Sequence, residues 1–202
     1  MEGRITDPSA WHGADIRDAA DWRIALAPPL AEALAETARR TTSEGPAPRD
    51  IDQNHFPIDE AAELVNQIHN QLEHGLGFAV MQGLPLDKLT YDQQVALTLG
   101  LSDHVGRVVP QNYELQRVVD VRDEGIEYSH RSRGYRGNKQ LPFHTDGAHL
   151  FSLTCLGVGA EGGETIIVSG AAAYNQLLGE NPAALKILCR GFYHHRRGQH
   201  AL

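Results

Sequence analysis

Leu141-Pro142-Phe143-His144-Thr145-Asp146-Gly147 is the stretch on which the reading of this chain turns. His144 and Asp146 are two positions apart, and on a strand residues i and i+2 point to the same face. An imidazole nitrogen and a carboxylate oxygen placed this way converge on one point. Joined by a distant histidine, such a pair makes the facial triad of a ferrous site, which leaves coordination positions open for a co-substrate and O2. In a chain with 11 histidines an isolated H-x-D is a weak signal, so its surroundings have to carry the reading.

Downstream stands Glu161-Gly162-Gly163-Glu164-Thr165, running into Ile166-Ile167-Val168-Ser169. The two glycines let the backbone turn tightly and approach a ligand closely. Thr165 then offers a hydroxyl donor at the start of a β-type run. Taken alone, without the preceding H-x-D, this stretch reads better as a hairpin turn entering a strand, with Thr165 merely a good β-former.

Working outward, the first half of the chain reads as helices. Pro28 to Arg40 opens on proline and is rich in Ala, Leu and Glu. Thr41 to Asp50 has the composition of a flexible loop. Ile58 to His74 keeps helical spacing at Ala61, Leu64, Val65, Ile68 and Leu72, with Asp59 as N-cap and Gly75 as stop. Gly77 to Gln82 predicts a short buried strand, and Thr90 to Leu101 a second amphipathic helix. Beyond residue 105 short β-rich runs follow: Arg117 to Arg122, Leu150 to Leu156 and Thr165 to Ser169. Helical pieces at Ala171 to Leu178 and Pro182 to Leu188 come next, then a candidate strand at Gly191 to His195. The pattern predicts an α+β protein whose β part is a barrel or sandwich, organised as a single domain over 1–202.

Composition narrows the function. The net charge is -8, with 18 Lys and Arg against 26 Asp and Glu. Such a surface disfavours nucleic acid, whose phosphates need clustered basic groups. No apolar run approaches the roughly 20 residues that span a bilayer, and the N-terminus lacks an apolar signal core. The expectation is a cytoplasmic protein with no membrane partner. Cys155 and Cys189 form no zinc motif and sit in apolar runs, which predicts two buried free thiols. His12, His55, His69, His74 and His104 have no partner at ligand spacing and read as structural or surface histidines.

The order FHTDG, LTCLGVGA, EGGETIIVSGAAAYNQLL, NPAALKIL, with GFAVMQGLP upstream, resembles the TauD/TfdA (taurine dioxygenase-like) family of Fe(II)/2-oxoglutarate-dependent dioxygenases. The likeness runs from about Trp22 to the C-terminus. It implies a double-stranded β-helix (jelly roll) flanked by N-terminal helices. It also implies His144 and Asp146 as the first two Fe(II) ligands, and Thr165 as the hydroxyl that hydrogen-bonds the carboxylate of 2-oxoglutarate. A metal-bound His144 must be neutral, so iron affinity is expected to fall in acid. The implied activity is hydroxylation or desaturation of a small organic substrate by O2, with release of succinate and CO2.

The family's third ligand, a histidine, and the arginine that forks onto the distal carboxylate of 2-oxoglutarate are expected beyond Leu202. By this resemblance the jelly roll is missing its last strands and the domain is incomplete at its C-terminus. His194, His195 and His200 are stand-ins to weigh for the third ligand, but no arginine follows His200 and Arg196 and Arg197 precede it. The alternative is a catalytically inactive, truncated barrel protein with a binding role or none. A zinc hydrolase built on His144, Asp146 and a later histidine lacks an evident general base. Arg131, Arg133 and Arg136 precede the H-x-D motif and suit either an anionic substrate or a solvated basic loop. Gln111 and Asn112 are weaker candidates for the pocket. Substrate identity and oligomeric state, a homo-oligomer included, are not legible.

Overall fold

Two prolines at the first helical turn and an alanine-rich body make α2 (Pro28–Glu44) the longest helix among the described residues. The computed structural model describes residues 3–20, 22–112, 114–125 and 137–193. Before α2 come the single turn α1 (Gly13–Ile16) and the short strand β1 (Arg23–Ala25). After it come 3-10 turns at Pro48–Asp50 and Asp59–Ala61, then α3 (Ala62–Glu73) and β2 (Val80–Gln82). A 3-10 turn at Leu86–Lys88 leads into α4 (Tyr91–Val105), and α5 (Gly170–Glu180) and α6 (Pro182–Leu188) close the order.

The core is helical. On α2 the buried positions Ala31, Leu34, Ala35, Ala38 and Thr41 follow the three-and-four spacing of one helix face. They pack with Ala96, Leu97 and Leu101 of α4, with Leu64, Val65 and Ile68 of α3, and with Ile51 and Phe56 from the loop between. Phe56 and Ile51 are wholly buried. β1 and β2 pair in parallel, Arg23 opposite Val80 and Ala25 opposite Gln82, with the helices α2 and α3 in the crossover. Trp11 and Trp22 close on Phe78 beside this pair, with ring centroids 5.6 and 5.4 Å apart.

Several expectations need correction. The helix predicted over 28–40 runs on through Glu44, so 41–44 are not part of a flexible loop. The reason is tertiary: Thr41 is buried and its hydroxyl donates to the His55 carbonyl at 3.0 Å, which overrides the modest helix propensity of threonine. Asp59 does not cap the next helix. It lies inside the 3-10 turn, and α3 starts after Ala61 without a side-chain cap. The strand expected over 77–82 forms only at 80–82, and Val80 is exposed rather than buried. The second amphipathic helix is longer than predicted. Thr90 and Gln93 form a reciprocal capping box at its start, and it ends at Gly106. The predicted helices near 171–178 and 182–188 are both present, α5 capped by the Ser169 hydroxyl and α6 by the Asn181 side chain.

The largest departure concerns the β-rich runs. Residues 117–122, 150–156 and 165–168 are irregular, with a bend at 117–118, and enter no ladder; among the described residues β1 and β2 make the only sheet. A strand is defined by its partner, and these runs instead lie against α4 or solvent. Thr154 and Ser152 meet Thr98 and Ser102 hydroxyl to hydroxyl, at 3.1 and 3.0 Å. Four helical residues rise about 6 Å and two extended residues span about 6.6 Å, so the two repeats stay in step. Arg117 reaches Asp103 near the end of α4, and Asp120 accepts from the Tyr91 hydroxyl at its start. Both runs therefore travel from the C-terminal towards the N-terminal end of α4. Phe151 and Leu153, on the face turned from the helix, are exposed. Both cysteines are exposed as well, contrary to the prediction of buried thiols, because the apolar runs that carry them are not packed among the described residues. The candidate strand at 191–195 is irregular at 191–193, and its remainder lies outside the described residues.

Candidate metal and co-substrate site

His144 and Asp146 sit in an irregular stretch between a bend at Phe143 and another at 147–149. His144 Nε2 and Asp146 Oδ1 are 3.9 Å apart, and each side chain is about half exposed. The imidazole is oriented from behind by a residue that the sequence reading passed over: the Pro142 carbonyl lies 2.9 Å from His144 Nδ1. A carbonyl only accepts, so Nδ1 donates to it, and a neutral ring in that tautomer has its lone pair on Nε2, the nitrogen that faces Asp146. The signal for this contact is slight, since any carbonyl two residues before a histidine in an extended chain is within reach.

These two donors fit a divalent first-row metal. Two bonds of about 2.1 Å at the right angle of a facial site put their donors about 3.0 Å apart, so this half-exposed pair, 3.9 Å apart, would draw in by about 0.9 Å to hold one ion. One donor is a neutral imidazole and the other an anionic oxygen, the mixture that suits iron at an open site. Among the described residues no third His, Cys, Asp or Glu joins them in a group. His194, His195 and His200 lie outside the described residues, as do Arg131, Arg133, Arg136, Arg196 and Arg197.

Thr165 is exposed and begins the extended run that ends at Ser169. The turn before it depends on glycine as expected: Gly162 and Gly163 have φ of 73° and 85°, a conformation that side chains with a Cβ resist. Gln111 and Asn112 are engaged in their own turn. The Asn112 side-chain Oδ1 accepts from the amides of Glu114 and Gln116, each at 3.1 Å, and the Gln111 side chain donates to the Val109 carbonyl. Neither is offered to a pocket. Of the histidines read as structural, His104 donates to the Phe56 carbonyl at 2.7 Å and His55 to Asp52 at 2.7 Å, which accounts for both.

No helix of the described residues is long and apolar enough to cross a membrane. Comparison with known proteins matches residues 39–201 to the family described as Taurine catabolism dioxygenase TauD, TfdA family. FR-33289 synthase from Streptomyces rubellomurinus is 34% identical over 197 residues, covering 96% of this chain and 58% of that protein. The taurine hydroxylase-like protein SAT17 from Stachybotrys chartarum is 23% identical over 196 residues, covering 93% of this chain and 51% of that one. The chain thus spans little more than half the length of these curated relatives. With the family's range covering most of its length, this chain belongs to the TauD/TfdA family.

Proposed function

We propose that the protein is an Fe(II)- and 2-oxoglutarate-dependent oxygenase in which His144 and Asp146 hold the metal and Thr165 binds 2-oxoglutarate. The observation that carries this reading is the orientation of the pair. An imidazole with its lone pair turned to Nε2 faces a carboxylate oxygen 3.9 Å away, in a member of a dioxygenase family.

Each residue has a definite task. His144 donates its Nε2 lone pair, and the Pro142 carbonyl fixes the tautomer and the ring plane. Asp146 offsets one of the two positive charges of the metal. Thr165 donates its hydroxyl to a 2-oxoglutarate carboxylate, presented by the left-handed turn at Gly162 and Gly163. The metal, when bound, supplies the activation of O2 that an unreactive C–H bond requires. The overall reaction consumes 2-oxoglutarate, O2 and a small organic substrate, and yields succinate, CO2 and the hydroxylated or desaturated product; with desaturation the second oxygen atom leaves as water. The fold proposed for the whole protein is the family's double-stranded β-helix. In that fold the runs 117–122, 150–156 and 165–168 become sheet strands, the first two lying over α4. The names of the relatives, a synthase and a hydroxylase-like protein, accord with oxidation of a small molecule and leave the substrate itself open.

The test is turnover. Succinate formation from 2-oxoglutarate should require Fe(II), and His144→Ala should reduce it to background. A variant that keeps full turnover would remove His144 from the ligand set. If wild-type protein gives no heat of binding with Mn(II) and 2-oxoglutarate, a non-catalytic barrel becomes the better reading.

A further inference from the structure

Residues 5–9 lie before the stretch matched to the family, yet they carry the side-chain hydrogen bonds of longest sequence separation among the described residues. The Ile5 amide donates to Asn175 Oδ1 at 2.8 Å, and Asn175 Nδ2 donates to the Ile5 carbonyl at 2.7 Å. The primary amide thus behaves as a neighbouring strand would, satisfying both backbone groups of one residue. Four residues on, the Ser169 hydroxyl donates to the Ser9 carbonyl while accepting the Ala172 amide at 2.9 Å. Ser169 is buried, at 8% exposure, with its hydroxyl used in both directions. An Asx turn stiffens the segment between: Asp7 Oδ1 accepts the Ser9 amide at 3.0 Å, and the Asp7 carbonyl accepts the Ala10 amide at 3.1 Å. Immediately beyond, Trp11 donates from Nε1 to the Leu76 carbonyl at 2.9 Å and rests its ring on Phe78. The segment is therefore tied at one end to the layer that holds β2 and at the other to α5 and its cap.

We propose that residues 5–9 are a positioning strap for the Gly162–Thr165 segment, fastened by Asn175 and Ser169. The proposal rests on the reading of Thr165 as the 2-oxoglutarate hydroxyl. Thr165 stands four residues before Ser169, so an extended chain keeps it within about 14 Å of that anchor. Residues 165–168 make no ladder of their own among the described residues. Where Ser169 is held thus governs where Thr165 can reach. His144 and Asp146 lie on a different segment, and the strap has no contact with them. Its loss should loosen 2-oxoglutarate and spare the metal, a separation that general unfolding would not produce.

Asn175→Leu removes both bonds to Ile5 at similar side-chain volume, and Asn175→Asp keeps an acceptor for the Ile5 amide while placing a carboxylate against the Ile5 carbonyl. Two readouts apply to both. Trypsin cleavage at Arg4–Ile5, followed by mass spectrometry under native conditions, reports release of the strap. Calorimetry of 2-oxoglutarate on Mn(II)-loaded protein reports the site. In Asn175→Leu we expect cleavage and the 2-oxoglutarate Kd each to rise about tenfold, the sum expected of two ordinary hydrogen bonds. The Kd for Mn(II) should hold, and Asn175→Asp should fall between. Release of the strap with 2-oxoglutarate affinity intact overturns the proposal, as does unchanged cleavage. A wild type that binds Mn(II) but not 2-oxoglutarate overturns the reading of Thr165 and the proposal together, whereas affinity that the variants retain overturns the proposal alone.

Discussion

Gly100 shows how one missing methyl group can decide the packing of a core. It lies within α4, and a Cβ built there would stand 2.2 Å from the ring of Phe56, which is wholly buried and has no room to retreat. Alanine would favour the helix by about 1 kcal/mol, whereas overpacking a tight core costs about 1–3 kcal/mol. A contact this short belongs at the upper end, so the clash wins. Gly100→Ala is expected to lower stability by about 2 kcal/mol, read as a fall in the urea midpoint at unchanged slope. At this scale the candidate site was the most legible part of the sequence. His144 and Asp146 were named from the resemblance that the H-x-D motif and its surroundings carry, and their side chains lie 3.9 Å apart. The need for glycine at 162 and 163 was equally visible. The Pro142 carbonyl and Asn175 were not, because backbone acceptors leave no trace in residue type and a partner 170 residues away leaves none in local spacing.

At the scale of elements, α4 is the bed on which two extended runs lie. One of its fastenings titrates. Burial holds the Tyr91 hydroxyl above its ordinary pKa of 10.0, and donation to Asp120 at 3.0 Å pushes it the same way. A pKa raised in the folded state means that this contribution is complete below about pH 10 and is lost as pH climbs through the folded value. Urea unfolding of wild type and Tyr91→Phe should therefore differ at pH 9, and the difference should shrink above about pH 10. A gap that stays constant across that range would show that the phenol does not hold the 117–122 run. Helix starts near 90, 171 and 182 were read to within one residue, although the caps Thr90, Ser169 and Asn181 went unnamed. The end of α2 was missed at Thr41 to Glu44, where a buried threonine hydroxyl bonded to a distant loop extends the helix. The β-rich runs were expected to join a barrel or sandwich, but a run of alternating residues does not name its partner, and 150–156 here meets hydroxyls of α4 instead.

For the whole molecule, the helical layer and the site stand in different positions. The layer of α2, α3 and α4 is closed around Phe56 and Ile51 and is built from local patterns that sequence displays well. The segment from 137 to 169 carries the chemistry but is exposed along most of its length, with Phe143, Phe151, Leu153 and Val158 among its uncovered apolar side chains. Burial of the cysteines was mispredicted for the same reason, since an apolar neighbourhood in sequence becomes a core only when another layer lies over it. The family supplies the expectation of a jelly roll, while the described residues supply the pair of donors around which it would close.

That pair can be located directly. Crystals grown without oxygen and loaded with Fe(II) should give an anomalous peak at the iron edge about 2.1 Å from both His144 Nε2 and a carboxylate oxygen of Asp146. Iron found at another cluster, with His144 and Asp146 free of it, would contradict the account.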